Sequence, residues 1–205
     1  MADPHHLRRV QLIRKAALLF ALLAVCAVAA ISKSLAIFPW LHDAVEVVGR
    51  AMIVICVVGR AWCSLYIGGR KKAEIVSVGP YSLCRNPLYF FSFIGTFGMG
   101  AQTGSVVFAL VFLIIAIAVF HLTVRQEEIW LDATFGEPYR DYCARTPRFW
   151  PRFSKWRDSE TIEVRPVFFL TTLRDGLGFF LVIPVFEALE HAQNVGWVRV
   201  LFTMP

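Results

Sequence analysis

Residues 105–120 read SVVFALVFLIIAIAVF, and this run decides the class of the protein. It carries no charge, and continuing it to Val124 gives the roughly 20 mostly apolar residues that a helix needs to cross about 30 Å of hydrocarbon. No surface helix of a soluble domain tolerates such a run. Residues 16–31, AALLFALLAVCAVAAI, are equally uncharged. A secretory signal would account for that first run alone. It leaves the later runs unexplained, and no small-residue cleavage site leading into a polar mature domain follows. Over the whole chain of 205 residues, 57% are hydrophobic, against about 45–50% in soluble domains. The expectation is an all-α, polytopic integral membrane protein with about five transmembrane helices.

The spans are expected near Ala16–Phe38, Ala44–Ile67, Pro87–Gln102, Ser105–Val124 and Val167–Leu189. Pro87–Gln102 is short, about 24 Å at 1.5 Å per residue. It forms a helical hairpin with the span that follows, turning at Gln102-Thr103-Gly104. Arg50 and Arg60 fall inside the second span, so they should face other helices or water. Arg174, Asp175 and Pro184 weaken the last span, which is expected to pack on the hairpin. Basic residues cluster before the first span (Arg8, Arg9, Arg14, Lys15), after the second (Arg70, Lys71, Lys72, Arg85) and after the fourth (Arg125 to Arg165). The alternate short loops have no Lys or Arg. The excess of positive charge on cytoplasmic loops therefore places the amino terminus and the 125–165 segment in the cytoplasm.

The net charge of +6 is thereby assigned to anionic headgroups, and no nucleic-acid partner is expected. Five scattered cysteines without a CxxC exclude a disulfide framework, and no metal site is expected. No Walker loop is present, and no glycine-rich turn follows a strand, so nothing supports a Rossmann-type cofactor site.

Two polar clusters remain. One runs Gly79-Pro80-Tyr81-Ser82-Leu83-Cys84-Arg85-Asn86-Pro87-Leu88-Tyr89. The other starts at Glu127-Glu128 and passes through Phe135-Gly136-Glu137-Pro138-Tyr139 and Tyr142 to Pro147-Arg148-Phe149-Trp150-Pro151. Separately, they are ordinary turn chemistry and a solvated helix face. The hairpin between them returns the chain to its starting side, so the two clusters can meet in space.

Taken in order, the pieces Gly-Pro-Tyr, Arg-x-Pro-x-Tyr, apolar hairpin, Glu-Glu-x-x-Leu, Phe-Gly-x-x-Tyr-x-x-Tyr and Pro-Arg-Phe-x-Pro resemble the isoprenylcysteine carboxyl methyltransferase family. That family in turn resembles the membrane phospholipid methyltransferases. The likeness covers roughly Val76 to Arg152 and divides the chain in three. Residues 1–75 form an N-terminal two-span region, 76–152 a methyltransferase-like core, and 153–205 a C-terminal extension with a last span.

The resemblance implies S-adenosylmethionine bound on the cytoplasmic side, with Tyr81, Arg85, Asn86, Pro87, Tyr89, Glu127, Glu128, Leu131, Tyr139 and Tyr142 around it. Arg85 and Glu128 are the residues expected to act in catalysis. Arg85 suits the cofactor's carboxylate, Glu127 or Glu128 its ammonium or ribose, and the tyrosines its adenine or sulfonium. Glu128 is preferred to Glu127 because Leu131 and Phe135 follow it at i+3 and i+7. The implied activity is methyl transfer to a carboxylate or amine on a lipid or lipidated substrate, in a bacterial inner membrane or the endoplasmic reticulum. Two other classes fit the spans, an NADPH-dependent sterol or lipid reductase and a small transporter. The histidine of the reductases' His-Pro-x-Tyr motif is absent, Asn86 standing in its place.

Overall fold

The structure is a computed structural model that describes residues 16, 20, 23, 24, 26–29, 31–34, 39–70 and 73–204. The basic residues ahead of the first expected span lie outside the described residues, as does much of that span. Its described positions from Ala16 to Ile31 are helical. The fold is almost wholly helical. Helix α1 is Pro39–Ile67, α2 Pro80–Leu83, α3 Pro87–Ala101, α4 Val106–Phe135, α5 Glu137–Arg145, α6 Pro166–Leu177 and α7 Val182–Asn194. Short 3-10 turns occupy Phe153–Lys155 and Gly178–Leu181, the second joining α6 to α7 almost without a break. Strands β1 (Ser32–Ser34) and β2 (Phe202–Met204) pair in parallel, tying two distant parts of the chain together.

Proline sets where several helices begin. It stands in the first turn of α2, α3, α5 and α6, where its fixed φ suits the helix and its missing N–H is no loss. Glycine ends α4: Gly136 has φ +60°, and its N–H is donated to the Asp132 carbonyl. The expected fourth span stopped at Val124. The helix instead continues to Phe135 and carries Glu127, Glu128 and Leu131 out of the apolar zone on one rigid rod.

Helix α3 is the centre of the bundle, packed between α1 and α4. Small residues make the approach close. A Cβ on Gly98 would fall 2.6 Å from the Gly49 carbonyl oxygen, and one on Gly95 2.4 Å from Cys56 Sγ. Phe108, Ala109, Phe112, Ala116 and Phe120 bury the facing side of α4. Between helices in lipid, association depends on this van der Waals fit rather than on expelling water. Arg60 is turned inward: it donates to the Ser92 hydroxyl, and its guanidinium lies 5.9 Å from the centre of the Phe179 ring. Arg50 pairs with Glu46 at 3.7 Å.

Among the described residues, two stretches, Val106–Phe135 and Pro166–Asn194, are long and apolar enough to cross a membrane. Helix α1 is as long but carries Asp43, Glu46, Arg50 and Arg60, and α3 has only 15 residues. Val54, Ile55 and Val58 on α1, and Leu110, Ile114 and Ile117 on α4, are exposed. The last stretch packs mainly on α1, with Gly176 against Val57, and reaches the hairpin through Val182 and Phe186, which join Phe108 and Phe112 in one core. Its principal support is therefore α1 rather than the hairpin. Arg174 and Asp175 are exposed and face each other at 3.7 Å.

Gly95→Ala is expected to overpack α1 against α3 and to cost about 1–3 kcal/mol. Gly178→Ala, which meets nothing within 4 Å, should change stability by less than about 0.5 kcal/mol. Thermal unfolding of both variants in detergent checks the contrast.

Candidate active site

The two polar clusters are joined by backbone hydrogen bonds. The Arg85 N–H is donated to the Pro147 carbonyl at 2.8 Å, the Arg152 N–H to the Leu83 carbonyl at 3.1 Å, and the Gly79 N–H to the Arg157 carbonyl at 2.7 Å. Side chains add to this seam: Asn86 Nδ2 donates to the Arg148 carbonyl at 3.2 Å, and the Arg157 N–H is donated to Ser82 Oγ at 3.0 Å. The Tyr142 hydroxyl, carried by α5, donates to the Tyr81 carbonyl at 2.8 Å. The segment after α5 thus lies along the loop before α3, at the base of the hairpin.

A narrow cleft of about 70 Å³, open to solvent, sits beside this seam. Tyr81, Arg85, Asn86, Tyr89, Glu127, Leu131, Tyr139 and Tyr142 line it, together with Ile67, Glu74, Ile75, Val76 and Leu88. Eight of the ten residues expected around the cofactor are therefore brought together. Pro87 and Glu128 do not line the cleft. Pro87 opens α3. Glu128 takes two parallel hydrogen bonds from Arg148, Nε to Oε1 at 3.1 Å and Nη2 to Oε2 at 2.6 Å, and lies 3.3 Å from Arg85 Nη1. Of the adjacent pair, Glu127 is the one that lines the cleft, and it accepts from the Tyr89 hydroxyl at 3.2 Å. The helical spacing that favoured Glu128 does mark the inward face, but two arginines already hold that carboxylate. Sequence reasoning missed Ile67 and the 74–76 wall. Glu74, in the polar stretch after α1, was the available signal.

Burial shapes the site's protonation. It pushes the phenols of Tyr81, Tyr139 and Tyr142 well above their usual range, with nearby Cys63 adding to Tyr81, Cys143 to Tyr139 and Cys84 to Tyr142. All three remain neutral hydrogen-bonding groups. For Arg85, burial works against the charged form, while Glu128 and Cys143 more than restore it and leave the guanidinium above its ordinary value. Two buried polar atoms in the cleft wall, Tyr81 Oη and Arg85 Nε, have no hydrogen-bond partner in the protein. Such atoms are costly to leave unmatched, and both belong to residues that line the cleft.

An apolar groove of about 320 Å³ runs next to the cleft, bounded by Met52, Phe90, Phe93, Phe97, Leu113 and Trp150 among others. Tyr89 lines the cleft and Phe90, its neighbour on α3, lines the groove. The Tyr89, Phe93, Phe120 and Phe149 rings form the wall between them.

The phospholipid methyltransferase family profile matches residues 44–138, from α1 to the first turn of α5. The nickel-cobalt-cadmium resistance protein NccN of Alcaligenes xylosoxydans xylosoxydans is 37% identical over 166 residues, which cover 81% of this chain and 78% of that protein. The chain belongs to the phospholipid methyltransferase family. The cobalt-zinc-cadmium resistance protein CzcN of Cupriavidus metallidurans is also similar, 33% identical over 165 residues covering 80% of this chain and 76% of its own. No solved structure matches. Family membership carries methyl transfer as the general activity, and the matched region supplies every wall of the cleft except Tyr139 and Tyr142.

Behind the cleft, burial pushes the Cys84 thiol up to about 12. The thiolate is the reactive form, so an upward shift keeps this cysteine inert. In folded protein, Cys84 should resist iodoacetamide from pH 7 to pH 10, and in denatured protein it should react as an ordinary thiol. Mass-spectrometric mapping of the alkylated sites checks this.

Proposed function

We propose that this protein transfers a methyl group from S-adenosylmethionine to a carboxylate or amine carried by a lipid or lipidated substrate, at the cytoplasmic face of a membrane. The observation that supports this most is the cleft itself, where Arg85, Glu127 and four tyrosines from separate parts of the chain meet around two unpartnered buried polar atoms. The bound cofactor would supply an electrophilic methyl on a sulfonium. Arg85, fixed by Glu128, holds the carboxylate end. Glu127 receives the ammonium or the ribose hydroxyls, and the aromatic faces cover the adenine and the cationic sulfur. The remaining work is alignment and exclusion of water. The wall of Tyr89, Phe93, Phe120 and Phe149 separates this aqueous site from the apolar groove, which suits a lipid tail. In this reading the two long apolar stretches, α1, α3 and the N-terminal run make five spans, with the amino terminus in the cytoplasm.

The relatives' names add a physiological setting. Both are named for resistance to divalent metal cations, and we infer that methyl transfer by this chain serves the same resistance by altering a membrane component.

Titration calorimetry with S-adenosylhomocysteine in detergent tests the reading. Arg85→Ala and Glu127→Ala should each weaken binding roughly ten- to a hundredfold, the worth of one charge-assisted hydrogen bond. Arg85→Lys should also lose affinity, because one ammonium cannot reproduce the fork. NADPH should neither bind nor raise the melting temperature. Unchanged affinity in the two alanine variants, or stabilisation by NADPH alone, would remove the assignment.

A further inference from the structure

At the end of the bundle away from the cleft, three metal-ligating side chains converge. His42 and Glu46 stand one turn apart on α1, and Glu190 comes from the last turns of α7. His42 Nε2 lies 3.2 Å from Glu46 Oε1 and 4.0 Å from Glu190 Oε1, and the ligand atoms all lie within 4.8 Å of one another. Along α1, His42 is roughly 37 Å from Ile67 in the cleft wall, at 1.5 Å per residue. The group is therefore separate from the methyl-transfer site, and it was not legible as a metal motif in the sequence.

The imidazole is held in place. Gly104, in the hairpin turn at φ +67°, sits so close that a Cβ there would fall 1.9 Å from His42 Nδ1. The ring's other nitrogen is directed at the two carboxylates, yet Nε2 is shut off from solvent and makes no aligned hydrogen bond. An ordinary i,i+4 ion pair would account for His42 and Glu46, with Arg50 as a second partner of Glu46. It does not account for Glu190. A single ring nitrogen has at most one proton to donate, and here two carboxylates from distant helices are drawn toward it despite their mutual repulsion. A divalent cation resolves both problems. Ligand atoms about 2.0–2.2 Å from a shared tetrahedral ion stand roughly 3.3–3.6 Å apart. Glu46, at 3.2 Å, is within a few tenths of an ångström of that spacing, and Glu190, at 4.0 Å, reaches it with a small movement of an exposed side chain.

We propose that His42, Glu46 and Glu190 bind a divalent transition-metal cation. One imidazole and two carboxylates, with no thiolate, suit ions of the Zn²⁺, Co²⁺ and Ni²⁺ type better than soft monovalent copper. Three protein ligands leave a coordination position open to water. Since the ligands come from α1 and α7, the ion would fasten the C-terminal helix to the bundle.

The test uses tag-free, full-length protein in detergent, titrated with Co²⁺ and followed by its visible absorption, with Zn²⁺ as competitor. One saturable Co²⁺ per chain is expected, displaced by Zn²⁺. His42→Ala should weaken binding at least a hundredfold, and Glu46→Gln and Glu190→Gln at least tenfold each. Glu190 is about half exposed at the rim, so Glu190→Gln decides the matter even if His42→Ala fails to fold. No saturable binding to the wild type, or unchanged affinity in Glu190→Gln, overturns the proposal.

Discussion

The carboxylate of Glu128 is shared between two arginines that belong to different halves of the site. It is mostly buried, bound bidentately by Arg148 and faced by Arg85. Arg148 lies on the segment after α5, Arg85 on the loop before α3, and Glu128 on the charged extension of α4. Removing either arginine leaves the other to satisfy a carboxylate that has lost much of its hydration, a situation that costs far more than losing an exposed ion pair. The backbone bonds from Arg85 to Pro147 and from Arg152 to Leu83 run alongside this clamp. The cleft exists because this junction closes the base of the hairpin. Without it, Tyr139 and Tyr142 would have no fixed position relative to Tyr81 and Tyr89.

The bundle above the junction explains how an aqueous pocket and an apolar groove come to share a wall. Helix α3 is short, and it is drawn close to α1 by Gly95 and Gly98. Its first turn sits at the junction, so successive residues serve different solvents: Tyr89 faces the polar cleft and Phe90 the groove. In the proposed reaction, a water-soluble donor and a lipidic acceptor would approach from opposite sides of one layer of aromatic rings. The buried phenols on the polar side stay neutral, which leaves Arg85 and the carboxylates as the cleft's charged groups.

Much of this was legible in the sequence, and for identifiable reasons. The hairpin was plain because two uncharged runs flank a Gln-Thr-Gly turn. Eight of the expected cofactor residues meet because turn motifs on either side of a hairpin must return to the same end. The choice between Glu127 and Glu128 was not legible: adjacent residues on a helix differ by about 100°, and only Arg148, twenty positions away, shows which carboxylate is already engaged. Helical spacing through Leu131 and Phe135 was visible, but not that this helix continues α4 without a break, because the change from apolar to charged residues marks only where the apolar zone ends. Glu190 could not be paired with His42 from spacing, since only tertiary packing brings α7 onto α1. The contact of the last helical stretch with the hairpin was legible and holds at Val182 and Phe186, whereas its packing of Gly176 on Val57 of α1 was not, because it depends on tertiary structure.

The central claim is that the two motif clusters form one cofactor site. Ultraviolet cross-linking of methyl-labelled S-adenosylmethionine to the purified protein, with peptide mapping, tests it most directly. The account predicts label on peptides containing Tyr81–Tyr89 and Glu127–Tyr142, abolished by excess S-adenosylhomocysteine. Label confined to other segments, or label that the competitor does not remove, would contradict it.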